Sequence, residues 1–186
     1  ENTAPARAVH AALDLLRGVS SRSMLRLLKA GLVDLPDAQQ CALENYAYTW
    51  QLTAADWRAP FTRSAAGYAG RDTEQDKQTL ADAEAARAYL MERIAAFVPK
   101  ASGAPAAALT KQLYLFLESL GAEKTLDRLA EELRAQGRLP DADEALREWN
   151  VVMGLLDQLA RLLGDEVFAP ADYAELFTLL LRTTDM

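Results

Sequence analysis

Apolar residues recur along this chain at the three- and four-residue spacing of a helix, and glycine or proline falls where that spacing breaks. Val9, Leu13 and Leu16 follow Pro5, whose missing N–H costs little in a first helical turn, and Gly18 closes the segment. Ser21 is placed to cap a second helix carrying Met24, Leu25 and Leu28, which ends at Gly31. Pro36-Asp37 opens a third, with Ala42, Leu43, Tyr46 and Trp50 on its stripe. Thr73, with Asp76 three residues on, reads as the N-cap of a long helix to about Val98, with Leu80, Ala83, Leu90, Ile94 and Phe97 facing inward. Pro99 and Ser102-Gly103-Ala104-Pro105 read as a linker. Helices are then predicted over about 107–120 and about 124–136. Another begins after Pro140-Asp141, with Asp141 and Glu144 as an acidic capping box and Trp149, Val152, Leu156, Leu159 and Leu163 on its stripe. A last one starts near Pro170. No stretch shows sustained strand alternation and none repeats at a fixed period. The pattern predicts an all-α, irregular domain of about seven or eight helices.

Residues 52–72 depart from the pattern. Thr53, Asp56, Pro60, Ser64, Gly67 and Gly70 interrupt any long period, and Trp57, Phe61 and Tyr68 are interleaved with Arg58, Arg63 and Arg71. This is expected to be one long loop with a short helical turn.

The 186 residues suit a single domain, with 1–98 and 105–186 as candidate sub-lobes on either side of the linker. A chain of this size buries roughly two-thirds of the surface it exposes unfolded, so it needs no metal or disulfide to stay folded. Cys41 is the only cysteine, which excludes an internal disulfide and fits a reducing compartment. The longest apolar runs fall far short of the roughly 20 residues that span a membrane, and no leader is visible, so a cytoplasmic location is expected. Glu1 stands where a native start would have Met, and Leu179-Leu180-Leu181 runs into Arg182-Thr183-Thr184-Asp185-Met186 without an obvious stop. The chain reads as a piece of a longer one.

A net charge of −7 disfavours a broad nucleic-acid surface, but the charge is uneven. Residues 1–71 carry eight Lys/Arg against six Asp/Glu, whereas the remainder carries twelve against twenty-one. Any DNA contact is therefore expected from the first part.

Catalytic chemistry is hard to place. The nine glycines are dispersed, mostly at helix ends, so no phosphate-cradling loop with a following Lys and Ser/Thr is visible. His10 and Cys41 stand thirty-one residues apart and cannot form a zinc site unaided. His10 reads as a packing or surface histidine, and Cys41 as a small buried hydrophobe. Glu131-Glu132, Asp141/Asp143/Glu144 and Asp165-Glu166 read as solvated faces and helix ends rather than paired acids and bases.

Three stretches carry a family resemblance. The first is Met24-Leu25-Arg26-Leu27-Leu28-Lys29-Ala30-Gly31-Leu32, followed by Leu43-Glu44-Asn45-Tyr46 and Trp57. The second is Leu113-Tyr114-Leu115-Phe116-Leu117-Glu118. The third runs from Arg147-Glu148-Trp149-Asn150-Val151-Val152 through Leu155-Leu156-Asp157-Gln158-Leu159 to Leu162-Leu163-Gly164-Asp165-Glu166. In order and spacing they resemble the AddB subunit (RexB in some bacteria) of the AddAB helicase–nuclease, over about residues 21–178. The chain departs at Ala30 and Gln51, where the family usually has Thr and Gly, so a polar role or a tight turn does not carry over to them.

The resemblance implies an internal helical region like the accessory domain called 2B. ATP, Mg and the iron–sulfur cluster of the parent would all lie outside these residues, and no cofactor is expected within them. It implies a noncatalytic accessory domain in double-strand-break processing and recombinational repair. Such a domain would guide duplex DNA, or brace the motor and an AddA-type helicase/nuclease subunit. The candidate DNA contacts are Arg22, Arg26, Lys29, Arg58, Arg63 and Arg71, with Trp57 as a candidate stacking group, although Trp57 reads first as a core anchor for the loop. The alternative is a helical protein–protein scaffold without DNA contact, motivated by the acidic second part and the Leu-rich 176–181 segment. No membrane partner is expected.

Overall fold

Alanines and leucines fall on nearly every side of the first helix, and a helix that is apolar all round is a buried one. In the computed structural model, which describes residues 3–68, 73–99 and 102–183, that helix is α1 (Ala4–Arg17). Ala4, Ala8, Val9, Ala11, Ala12, Leu13 and Leu15 are all buried. Around it lie α2 (Ser21–Lys29), α7 (Leu139–Leu162) and α8 (Pro170–Thr183). α3 (Asp37–Trp50) packs along α4 (Glu74–Phe97), which passes the core on to α5 (Ala106–Ser119). α6 (Ala122–Ala135) and α5 both pack on α7. Eight α-helices and a 3-10 turn at Asp56–Arg58 are thus present among the described residues, and the fold is all-α.

The linker interrupts the chain and not the core. One hydrophobic cluster runs from Ala4 to Leu181, and Phe97 of α4 stacks on Phe116 of α5 with ring centroids 4.2 Å apart. Part of the linker is ordered as strand. β1 (Ala104–Pro105) pairs antiparallel with β2 (Val167–Phe168), and the Ala106 N–H donates to the Glu166 carbonyl at 2.8 Å. Two residues are too few for alternation to show in sequence.

Helix ends correct several expectations. Ser20, not Ser21, caps α2: its hydroxyl accepts from the Ser23 N–H at 3.1 Å, and Ser23 Oγ accepts from the Ser20 N–H at 2.9 Å. Thr73 and Asp76 form the expected box at α4. At α7, Pro140 sits inside the first turn and the helix begins at Leu139. Asp141 is then drawn 2.6 Å from the Arg138 guanidinium, and no capping box with Glu144 forms. Cys41 is exposed rather than buried, because α3 turns Ala42, Leu43, Tyr46 and Ala47 inward and leaves position 41 on the outer side. Gln51 ends α3 at φ 44°, so the tight left-handed turn is kept without glycine.

Candidate nucleic-acid interface

The 52–68 segment is irregular in backbone but firmly held. Trp57 is fully buried. Its indole N–H donates to Ser21 Oγ at 2.7 Å, and Ser21 in turn donates to the Leu52 carbonyl. The Trp57 carbonyl accepts from Arg87 at 2.9 Å. Arg87, itself buried, grips Glu84 through two bonds of 2.7 and 2.6 Å, and Glu84 accepts the Phe61 N–H at 2.8 Å. Burial disfavours the Glu84 anion, yet the Arg87 and Phe61 donors outweigh it and hold the carboxyl below its ordinary pKa. Phe61 stacks on Tyr46 at 4.4 Å and meets the edge of Trp57 at 5.9 Å. Trp57 therefore presents no face for stacking on a base. It anchors the loop.

Asp56 fixes the other end of the 3-10 turn. It accepts from the Thr53 hydroxyl at 2.6 Å and the Thr53 N–H at 2.8 Å, with Arg63 at 3.0 Å. Those donors, Thr53 foremost, hold its carboxyl below the usual carboxylate range. Arg63 also lies over the Trp50 ring, 4.6 Å from its centroid, so its charge serves the loop's own structure. On Trp50 rests Tyr68, with centroids 4.5 Å apart, and Tyr68 is 88% exposed. The open aromatic face in this segment is thus Tyr68, a residue that sequence reading placed in the loop without a role. Arg58 is exposed and has no ion pair among the described residues. Arg71 and Gly70 lie outside the described residues.

A second basic group forms where α1 turns into α2. Arg17, Arg22 and Arg26 line a shallow depression of about 430 Å³ with Gly18, Ser20, Ser23 and Asp14. Asp14 receives Arg17 at 3.1 Å and Arg26 at 2.5 Å. Arg22 is exposed and has no ion pair among the described residues. The N-terminus of α2 opens into the same depression and adds partial positive charge. Three guanidiniums against one carboxylate, at a helix start, suit a phosphate. Lys29 stands apart from this lining, 3.7 Å from Glu44. The structure thus gathers Arg22 and Arg26 and adds Arg17, which sequence reading missed. The short Gly18-Val19-Ser20 connection is the signal that could have found it, since it folds the last turn of α1 against the first of α2.

Among the described residues no three His, Cys, Asp or Glu gather as a metal site requires, and no helix is long and apolar enough to cross a membrane.

No family model matches the chain. Individual proteins do. The B component of the ATP-dependent helicase/deoxyribonuclease of Alkaliphilus oremlandii is 28% identical over 172 residues, covering 87% of this chain. The protein of that name from Clostridium botulinum is 28% identical over 147 residues, 77% of this chain. That of Geobacillus thermodenitrificans is 40% identical over 68 residues, 37% of this chain. The chain spans about 15% of the length of the first of these relatives, 13% of the second and 6% of the third.

Proposed function

We propose that this chain, related to the B components of ATP-dependent helicase/deoxyribonucleases, is a noncatalytic accessory domain of such a protein. It would act in double-strand-break processing and recombinational repair, holding duplex DNA against the motor and the AddA-type partner. ATP, Mg and iron–sulfur chemistry would belong to the rest of the parent protein. The observation that carries this reading is the arginine depression at the α1–α2 corner, a concave cationic site on a chain whose net charge is −7. Arg17, Arg22 and Arg26 would take backbone phosphates, Lys29 and Arg58 would add further contacts, and Tyr68 would replace Trp57 as the aromatic contact.

A second reading has its own support. Leu162, Val167 and Leu179 are 80%, 67% and 54% exposed, as expected of a scaffold whose apolar surface meets another protein. An anisotropy titration of the domain with forked DNA, at low and at moderate salt, separates the two. Binding that weakens steeply with salt is expected of phosphate contacts. Absent or salt-independent binding, together with self-association, sinks the DNA reading in favour of the scaffold.

A further inference from the structure

We propose that the cavity between the start of α1, α6 and α7 receives one basic side chain, an arginine or lysine presented by a partner protein segment. The cavity measures about 550 Å³. Its polar lining is Thr3 and Arg7 from the α1 end, Arg138 before α7, and Asp141, Glu144 and Glu148 from α7. Ala4, Ala145, Leu129 and Leu133 supply the apolar wall.

Two acceptors in this lining meet no donor. Glu148 is only 5% exposed and its Oε2 has no hydrogen-bond partner, and Thr3 Oγ1 is buried in the same state. Asp141 is satisfied by Arg138 at 2.6 Å. Glu144 and Glu148 then leave the α7 wall anionic. A buried carboxylate oxygen without a donor is costly, and the cost is relieved by a proton or by a cationic donor. Burial, with Glu144 nearby adding repulsion, raises the Glu148 pKa, while the amino-terminal charge and, more weakly, Arg147 oppose this. The site is therefore poised between those two solutions.

The chemistry of the occupant follows from the walls. A compact inorganic cation is a poor match, since no metal-type group of ligands is gathered among the described residues. An aliphatic stem suits Leu129 and Leu133, and a multi-donor head suits the two orphan oxygens; arginine and lysine combine both. The chain spans about 15% of the length of the Alkaliphilus oremlandii relative. The proposal does not depend on DNA contact.

The test is a titration of the 186-residue chain with n-butylguanidinium, followed through leucine methyl resonances by NMR. Saturable shifts at Leu129 and Leu133 are expected. Neutral n-butylurea should give none. Glu148→Gln should weaken the guanidinium at least tenfold, Glu144→Gln two- to threefold, and Arg22→Ala not at all. Binding should tighten as pH rises and Glu148 ionises, with Asp141, Glu144, Arg7, Arg138, Arg147 and the amino-terminal charge as the charged groups around it. No saturable shift, equal binding of the urea, or undiminished binding to folded Glu148→Gln would each overturn the proposal. Spermidine binding more tightly than both butylguanidinium and butylammonium would also overturn it, in favour of a free polyamine.

Discussion

Glu148 faces a cavity with one carboxylate oxygen unmet, and this gives the domain a pH dependence of definite sign. Its folded pKa is raised above the unfolded value. The associated stability is thus fully present below the ordinary carboxylate pKa and is lost as pH rises through the folded one. Glu148→Gln removes the ionisation. Relative to the parent chain, the variant should be near neutral at pH 4 and more stable by about 1–2 kcal/mol at pH 8. Thermal melts at the two pH values measure this; an equal difference at both would mean that the carboxyl is not the source. Gln51 makes a simpler case. An L-residue in the left-handed region costs about 1–2 kcal/mol, and glycine avoids most of it. Gln51→Gly is expected to gain about 1 kcal/mol, raising Tm by roughly 2–4 °C. The pattern that the chain resembles has glycine at this position, but a missing glycine does not reveal whether the turn went with it. The neighbours decide that: the N–H groups of Gln51 and Leu52 still bond back to Tyr48 and Ala47.

At the level of the element, the 52–68 loop is ordered by side chains rather than by backbone period. Trp57 ties it to α2 through Ser21 and to α4 through Arg87. Trp57→Ala should cost about 3–5 kcal/mol, read as a lower urea midpoint. Little change would mean that Phe61 and Asp56 hold the loop unaided. The helices were legible in sequence because burial repeats along them every three or four residues. The loop's interior was not. An irregular stretch has no period to say that Trp57 points in and Tyr68 points out, and both stand among arginines. Ser20 and Ser21 show the same limit on a smaller scale. The sequence places the cap at Ser21, but Trp57 claims that hydroxyl and its neighbour Ser20 caps instead. Cys41 differs, because counting from Leu43 and Tyr46 already places it off the buried stripe.

Across the whole molecule, charge and core follow different divisions of the chain. The core joins α1 to α7 and α8, binding the first and last helices together. The cationic depression lies at the other end of α1 from the Glu148 cavity: Asp14 and Arg17 line the one, Thr3 and Arg7 the other. A DNA contact and a protein contact could thus occupy opposite ends of one buried helix. The balance at the depression turns on Asp14, which ties up Arg17 and Arg26. Both pairs are substantially exposed, so removing the acid should change stability by less than about 1 kcal/mol. Its effect on a phosphate should be larger. Asp14→Asn leaves three guanidiniums unopposed and is expected to tighten forked-DNA binding several-fold at low salt. Arg22→Ala should loosen it and reduce the slope of log affinity against log salt by roughly one. Opposite changes in the two variants, both fading at high salt, would locate the phosphate site at this corner. If the chain binds DNA and neither variant alters the affinity, the contact lies elsewhere, with Arg58 and Tyr68 the next residues to change.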